Sequence, residues 1–274
     1  MDRSTPVLTG VRNFRDVGGL PAADGRTVRH GLLFRSGHLA HATPEDVAAL
    51  AGLGLRSVID LRGTADLRAE RTDVPVPGST HRSIALTDPA AGAKFHGLLR
   101  EGDLATLRAE LGHGGGEARM IAAYRNRVVT RTGEHALILR SLAEPDGLPA
   151  LVHCSAGKDR AGWAIAVVLL ALGVPEEAIL ADYLASNGPA QAYRFRRADG
   201  TVPEPGSELW TLLRPVFEAR PEYLRAAWDA VREHWLSPEA YLRDGLGLTE
   251  EGRRRLWDLL LTDVGLRPDQ RRQP

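Results

Sequence analysis

The only cysteine of this chain, Cys154, is followed six residues later by Arg160. The run reads Ala150-Leu151-Val152-His153-Cys154-Ser155-Ala156-Gly157-Lys158-Asp159-Arg160-Ala161-Gly162. A short apolar stretch leads in, and a longer one, Trp163 to Val174, leads out. That pattern predicts a strand, a tight loop and a helix N-terminus, with a thiol at the loop's start and a guanidinium at its end. A thiol attacks only as thiolate, and free cysteine is mostly protonated at neutral pH. A helix N-terminus carries partial positive charge and unpaired N–H groups, which suit a thiolate and a phosphate alike. Ser155, Ala156 and Gly157 are small, and glycine tolerates positive φ, so the backbone can curl and aim its amides at one point. The Arg160 fork matches two phosphate oxygens at once. The implied chemistry is in-line attack by Cys154 on a phosphomonoester, giving a phosphocysteine that water hydrolyses. It needs no metal or other cofactor. An inert thiol closing a core strand would account for the cysteine, but not for a Cys-x5-Arg loop set between strand and helix.

His153 to Arg160 resembles the phosphate loop of the bacterial atypical tyrosine-protein phosphatases, a branch of the cysteine-dependent phosphatases with the signature His-Cys-x5-Arg. Four further stretches are similar and in the expected order: Asn13-Phe14-Arg15-Asp16-Val17-Gly18-Gly19, Phe34-Arg35-Ser36-Gly37, Val58-Ile59-Asp60-Leu61-Arg62 and Tyr241-Leu242-Arg243-Asp244. The resemblance implies substrates among phosphotyrosine proteins, phosphoserine and phosphothreonine proteins and phosphoinositides. It implies that Ser155, Ala156, Gly157, Lys158, Ala161 and Gly162 belong to the substrate-binding loop, and it associates Lys158 with phosphoinositide head groups. Lysine is otherwise nearly absent, occurring only at Lys94 and Lys158. One position departs from the family pattern. A Ser or Thr normally follows the arginine, and here it is Ala161. Without that hydroxyl, the departure of sulfur from the phosphocysteine is expected to slow.

The leaving oxygen needs a proton, and two carboxylates are candidates. Asp88, in Leu86-Thr87-Asp88-Pro89, follows a predicted strand, although aspartate before proline is also a common turn residue. Asp159 lies inside the loop, and the resemblance implies it as the acid; it is favoured, with Asp88 a second pocket carboxylate. His153, Asn13, Arg15, Asp16, Asp60 and Arg62 are expected to brace the loop rather than to react.

Composition bounds the setting. The 274 residues carry no formal net charge and are 43% apolar, which allows a sizeable core and gives no bulk attraction to nucleic acid. A single cysteine excludes an internal disulfide and fits a reducing compartment. Neither a signal peptide nor an apolar run of membrane-spanning length is visible, so a cytoplasmic location is expected. Nothing speaks to oligomeric state. Two other readings remain open. Ala161 would suit a phosphate-binding protein that has lost turnover. A sulfurtransferase also uses a cysteine loop at a strand–helix junction, although Arg160 and the neighbouring charges favour phosphate.

The layout predicts an α/β fold, a mostly parallel central sheet flanked by helices. Strands are expected at 32–35, 55–61, 81–86 and 149–153. Helices are expected from Thr43-Pro44, over 92–111, 117–131, 133–143, 160–172 and 175–187, then 207–218, 221–234, 237–244 and 249–262. Residues 112–116, Gly-His-Gly-Gly-Gly, read as a break. Residues 1–187 would form the phosphatase core, with the phosphate loop at 153–162. Residues 188–274 would be a helical extension of the same domain, in which 188–220 is a candidate lid. The carboxyl end of a strand is where ligands bind in such sheets.

Overall fold

A computed structural model describes residues 6–87, 89–188 and 195–262. Its sheet is built from β1 (Arg15–Asp16), β2 (Leu33–Ser36), β3 (Ser57–Asp60), β4 (Thr80–Ser83) and β5 (Ala150–His153), in the order β1-β2-β5-β3-β4. β1 runs antiparallel to β2, and the other pairings are parallel. Parallel neighbours need crossovers. α1 (Pro44–Gly52) and α2 (Thr64–Glu70) provide the first two, and α3 (Pro89–Glu101), α4 (Leu104–Leu111), α5 (Gly115–Thr130) and α6 (Thr132–Ala143) separate β4 from β5.

The register places the chemistry. Ser36 and Asp60 both pair with His153, so β2, β5 and β3 end level. Gly37, Cys154 and Leu61 therefore leave one sheet edge side by side. From the central strand the chain passes through the loop into α7 (Asp159–Ala171), in which every residue from Ala161 to Ala171 is buried. A helix that is apolar on all sides belongs in a core. After it come α8 (Glu176–Leu184), a 3-10 turn (Ala185–Asn187), α9 (Glu208–Phe217), α10 (Pro221–Trp235), α11 (Pro238–Ala240), a π-helical turn (Tyr241–Gly245) and α12 (Glu250–Leu260). α10 lies along α5 and α12 along α6, and one apolar cluster runs from Val17 to Leu261. Among the described residues no helix is long and apolar enough to cross a membrane.

Local chemistry sets the ends of the helices. Thr43 caps α1 from the Asp46 N–H, Pro44 takes the first helical position, and Asp46 caps the Thr43 N–H in return. The helix expected over 92–111 is instead two. Asp103 accepts a hydrogen bond from Thr106 N and starts α4 afresh. The glycine break is shorter than 112–116, because Gly114 at φ +83° turns the chain directly into α5. The helix expected over 237–244 passes from α11 into the π turn. α2 was not anticipated: its cap is Gly63, which has no side chain to signal it, and the Asp66 carboxylate accepts the Gly63 N–H instead. Asp88 and residues 189–194 of the candidate lid lie outside the described residues.

Candidate active site

The loop curls because Gly157 sits at φ +70° with its back against β2. A Cβ at Gly157 would fall 2.3 Å from the Ser36 carbonyl carbon. The carbonyls from Ser155 to Lys158 find donors outside the loop. Ser155 O accepts from His38 N at 3.1 Å, and Ala156 O accepts from Asn13 Nδ2 at 3.1 Å. Gly157 O and Lys158 O accept from Arg35 Nη2 at 2.8 and 3.2 Å. With the carbonyls turned outward, no backbone N–H from Ser155 to Arg160 has an acceptor among the described residues. No side chain caps α7 either. Cys154, 2% exposed, stands at this uncapped helix end. It shares a cavity of about 580 Å³ with Ser155, Ala156, Lys158, Asp159 and Arg160. Gly157 supports the loop from behind. Ala161 and Gly162 lie deeper, in α7, with Ala161 fully buried in the core.

Most of the expected braces hold the loop. The buried Arg35 anchors it to Asp182 through an Nη1–Oδ2 bond of 2.5 Å, and Arg15 holds both Asp182 and Asn13. Asp16 instead ties up its own turn, accepting from Gly18 N and Gly31 N. Below the cysteine, His153 Nε2 lies 3.2 Å from Asp73 Oδ2. Arg62 binds Asp60 and Asp73 at 2.9 and 2.7 Å. Burial opposes charge on Asp73, but His153 and Arg62 outweigh it and hold its carboxyl at about 2. Asp60, Asp73 and His153 converge with their ligand atoms within 4.8 Å of one another, but the Arg62 guanidinium already supplies both carboxylates with positive charge.

Arg160 has a partner that sequence reading missed. Its Nη1 and Nη2 bind Asp66 Oδ2 and Oδ1 at 2.5 and 2.9 Å, a two-pronged pair. Ser155 Oγ and Thr87 Oγ1 accept from the same guanidinium at 2.8 and 3.0 Å. His96 Nε2 lies 2.9 Å from Asp66 Oδ1. Burial works against the Asp66 charge, yet His96 and Arg160 hold its carboxyl far below the usual range. Asp66 comes from α2, whose start no capping side chain marks in the sequence.

At the other lip, Tyr124 Oη donates to Asp159 Oδ1 at 2.8 Å and lies 3.0 Å from Tyr183 Oη. Burial, reinforced by the Asp159 charge, pushes the Tyr124 phenol well above its ordinary value, so it stays a proton donor to Asp159. Asp159 is itself partly exposed to the cavity. Lys158, expected as a cation beside the phosphate, lines the cavity but turns its ammonium to the protein. It is 4% exposed, and its Nζ donates to Val216 O and Glu218 O, both at 2.8 Å, at the C-terminal end of α9. Burial lowers its pKa, although the Asp159 carboxylate, 3.4 Å away, works against that. Across the cavity, Phe195 and Phe217 pack with ring centroids 4.9 Å apart. Arg197 pins this side to α3 through Leu99 O and Gly102 O.

Comparison with known proteins agrees with this geometry. The profile of the tyrosine phosphatase family matches residues 6–262. The chain is 34% identical over 248 residues to a protein of Cupriavidus necator that carries the provisional name of tyrosine-protein phosphatase, covering 86% of this chain and 82% of that one. It is 32% identical over 278 residues to the triple specificity protein phosphatase PtpB of Mycobacterium tuberculosis, covering 93% of this chain and 98% of that one. The match spans the sheet, the loop and the helices that follow, and the chain belongs to the tyrosine phosphatase family, a phosphoric monoester hydrolase.

Proposed function

We propose that Cys154 Sγ attacks the phosphorus of a phosphomonoester held by the loop N–H groups and Arg160. The S–P bond forms as the P–O bond breaks, and Asp159 gives its proton to the leaving oxygen. Water then attacks the phosphocysteine and passes a proton back to Asp159, and sulfur leaves as thiolate. The observation that carries this reading is the loop itself, with carbonyls turned outward and N–H groups left for an anion beside a thiol. Arg160 is charged throughout the working pH range, and Asp66 holds its fork in place.

The substrates proposed are phosphotyrosine proteins first, with phosphoserine, phosphothreonine and phosphoinositide substrates beside them. The relative named for triple specificity supports that breadth. The lone cysteine, needed here as a free thiol, supports action in the cytoplasm. The continuous apolar cluster supports reading residues 188–274 as an extension of the core domain.

A rapid-quench experiment with p-nitrophenyl phosphate in metal-free buffer tests the mechanism. The expected result is a burst of nitrophenol close to one per protein, then slow turnover, with the phosphoryl group mapped to the peptide carrying Cys154. Tight binding of a phosphate analogue with neither burst nor adduct would instead identify a protein that binds phosphate without hydrolysing it. The slow phase is the expected consequence of Ala161. A hydrogen bond to a charged group contributes about 1.5–3 kcal/mol, so Ala161→Ser should speed the second step by about one to two decades and erase the burst. An unchanged steady-state rate in that variant would sink this account.

Residues 195–220 are proposed as the described part of a lid over 188–220, held by the Phe195–Phe217 contact and by Lys158 against the end of α9. A lid excludes water and shields the thiol. Phe217→Ala should therefore accelerate alkylation of Cys154 by iodoacetamide several-fold. Equal rates in wild type and variant would reduce the segment to simple packing.

A further inference from the structure

The cavity holds more positive charge than one phosphate requires, and nearly all of it is already matched. Arg160 faces Asp66, Arg119 faces Glu110 and Arg131 faces Glu134. Lys158, Arg100 and Arg197 donate to backbone carbonyls. Arg127 is different. It lines the same cavity from α5, yet its side chain donates no hydrogen bond and joins no ion pair among the described residues. The residue as a whole is partly exposed, but its Nε and Nη1 are buried and without partners. It lies over the face of Tyr124, with the guanidinium carbon 5.2 Å from the ring centroid.

A buried guanidinium without an anion is costly. Burial accordingly weakens its hold on its proton, and the Asp159 carboxylate relieves this only in part. A ring face offsets part of the lost solvation, but it offers nothing to the in-plane donors Nε and Nη1. Those donors suit a planar or tetrahedral oxyanion.

The position of Arg127 narrows where such an anion would be carried. The Tyr124 ring beneath the guanidinium is the ring whose hydroxyl holds Asp159. Asp159 must face the leaving oxygen to protonate it. Arg127 is therefore one aromatic ring away from the leaving-group side of the site. Resting on the phosphatase reading above, we infer that Arg127 is a specificity-determining residue that binds a second anionic group, carboxylate or phosphate, carried by the leaving group of the substrate. The preferred substrates are then phosphomonoesters whose alcohol or phenol bears a negative charge close to the ester oxygen.

Two measurements test this, one independent of turnover. The first compares kcat/KM for phenyl phosphate and for 3- and 4-carboxyphenyl phosphate in wild type, Arg127→Met and Arg127→Lys. The expected result is a carboxylate preference in wild type that falls at least tenfold in Arg127→Met and is partly restored by Arg127→Lys, which keeps the charge but not the fork. Taking ratios between variants cancels the effect of the carboxylate on leaving-group reactivity. A ratio that Arg127→Met leaves unchanged, including the case where all substrates slow alike, overturns the inference. The second measurement is calorimetric binding of benzylphosphonate and carboxybenzylphosphonate, which have no ester bond to break. Tighter binding of the carboxylated ligand in wild type, lost in Arg127→Met, supports the anion subsite even in a protein that turns nothing over. A protein that hydrolyses aryl phosphates but binds both phosphonates equally keeps the phosphatase reading and loses this one. Should Arg127→Met fail to fold, Arg127→Lys carries both comparisons, with a reduced preference expected and an undiminished one overturning the inference.

Discussion

Asp159→Asn is expected to lower kcat/KM for phenyl phosphate, which reports phosphocysteine formation, by about 10²–10⁴-fold, the usual contribution of a positioned general acid. Asparagine keeps the shape and can still accept from Tyr124 Oη, so the loop should survive while the transferable proton is lost. The loss should depend on the leaving group. Phenolate departs reluctantly without a proton, whereas p-nitrophenolate is stable as an anion, so the p-nitrophenyl ester should suffer far less. This gradient separates an acid from a residue that merely shapes the loop, whose removal would slow both esters alike. It also decides between the two carboxylates proposed from sequence. Asp159 stands on the cavity wall with Tyr124 and Lys158 fixing its Oδ1. Asp88 follows Thr87, whose hydroxyl accepts from Arg160, and lies outside the described residues. If the leaving-group gradient appears in Asp88→Asn and not in Asp159→Asn, the assignment moves to Asp88.

What could be read from sequence follows from how local each signal is. The thiol, the guanidinium and the small residues between them act through one continuous loop, so spacing alone exposed them. Thr43-Pro44 announced α1 because a side-chain cap and a first-position proline are written in adjacent residues. The sheet was legible as short apolar runs alternating with helical stretches, although its order, with β5 between β2 and β3, is a property of the packed chain. The partners that tune the loop were not legible. Asp66 is 94 positions from Arg160 and Tyr124 is 35 from Asp159, and nothing at those positions departs from ordinary helix chemistry. The partners of Lys158 were hidden for the same reason. In sequence it is a cation beside a phosphate loop, and only the fold brings the carbonyl end of α9 onto its ammonium. Arg127 lay in a helix already rich in arginine, and it stands out only because its neighbours in space leave it without a carboxylate.

Asp66→Asn should be the most destabilising single change at the site that leaves the apolar core intact. Removing one member of a buried ion pair costs about 3–5 kcal/mol, because the other charge stays behind in a poor solvent. Asp66 is almost wholly buried, with 1% of its side chain exposed, while Arg160 keeps 12% exposed toward the cavity, so the lower end of that range is expected. For a chain of this size each kcal/mol corresponds to about 2–4 °C, and a fall in melting temperature of about 6–12 °C should be seen by calorimetry. The native carboxyl is held far below its ordinary value. Its contribution is therefore fully present above the unfolded aspartate value of about 3.9 and is lost as pH falls below it. The gap between wild type and variant should stay constant from pH 8 to 5 and narrow below pH 4. Turnover should fall as well, since a displacement of about 1 Å in a positioning group can cost about 10²-fold. Orthovanadate distinguishes a lost counter-charge from simple unfolding. An oxyanion bound at Arg160 replaces the missing carboxylate, so vanadate should raise the melting temperature of Asp66→Asn by more than it raises that of wild type. Equal shifts in the two proteins would mean that Asp66 fills space beside Arg160 without holding its charge.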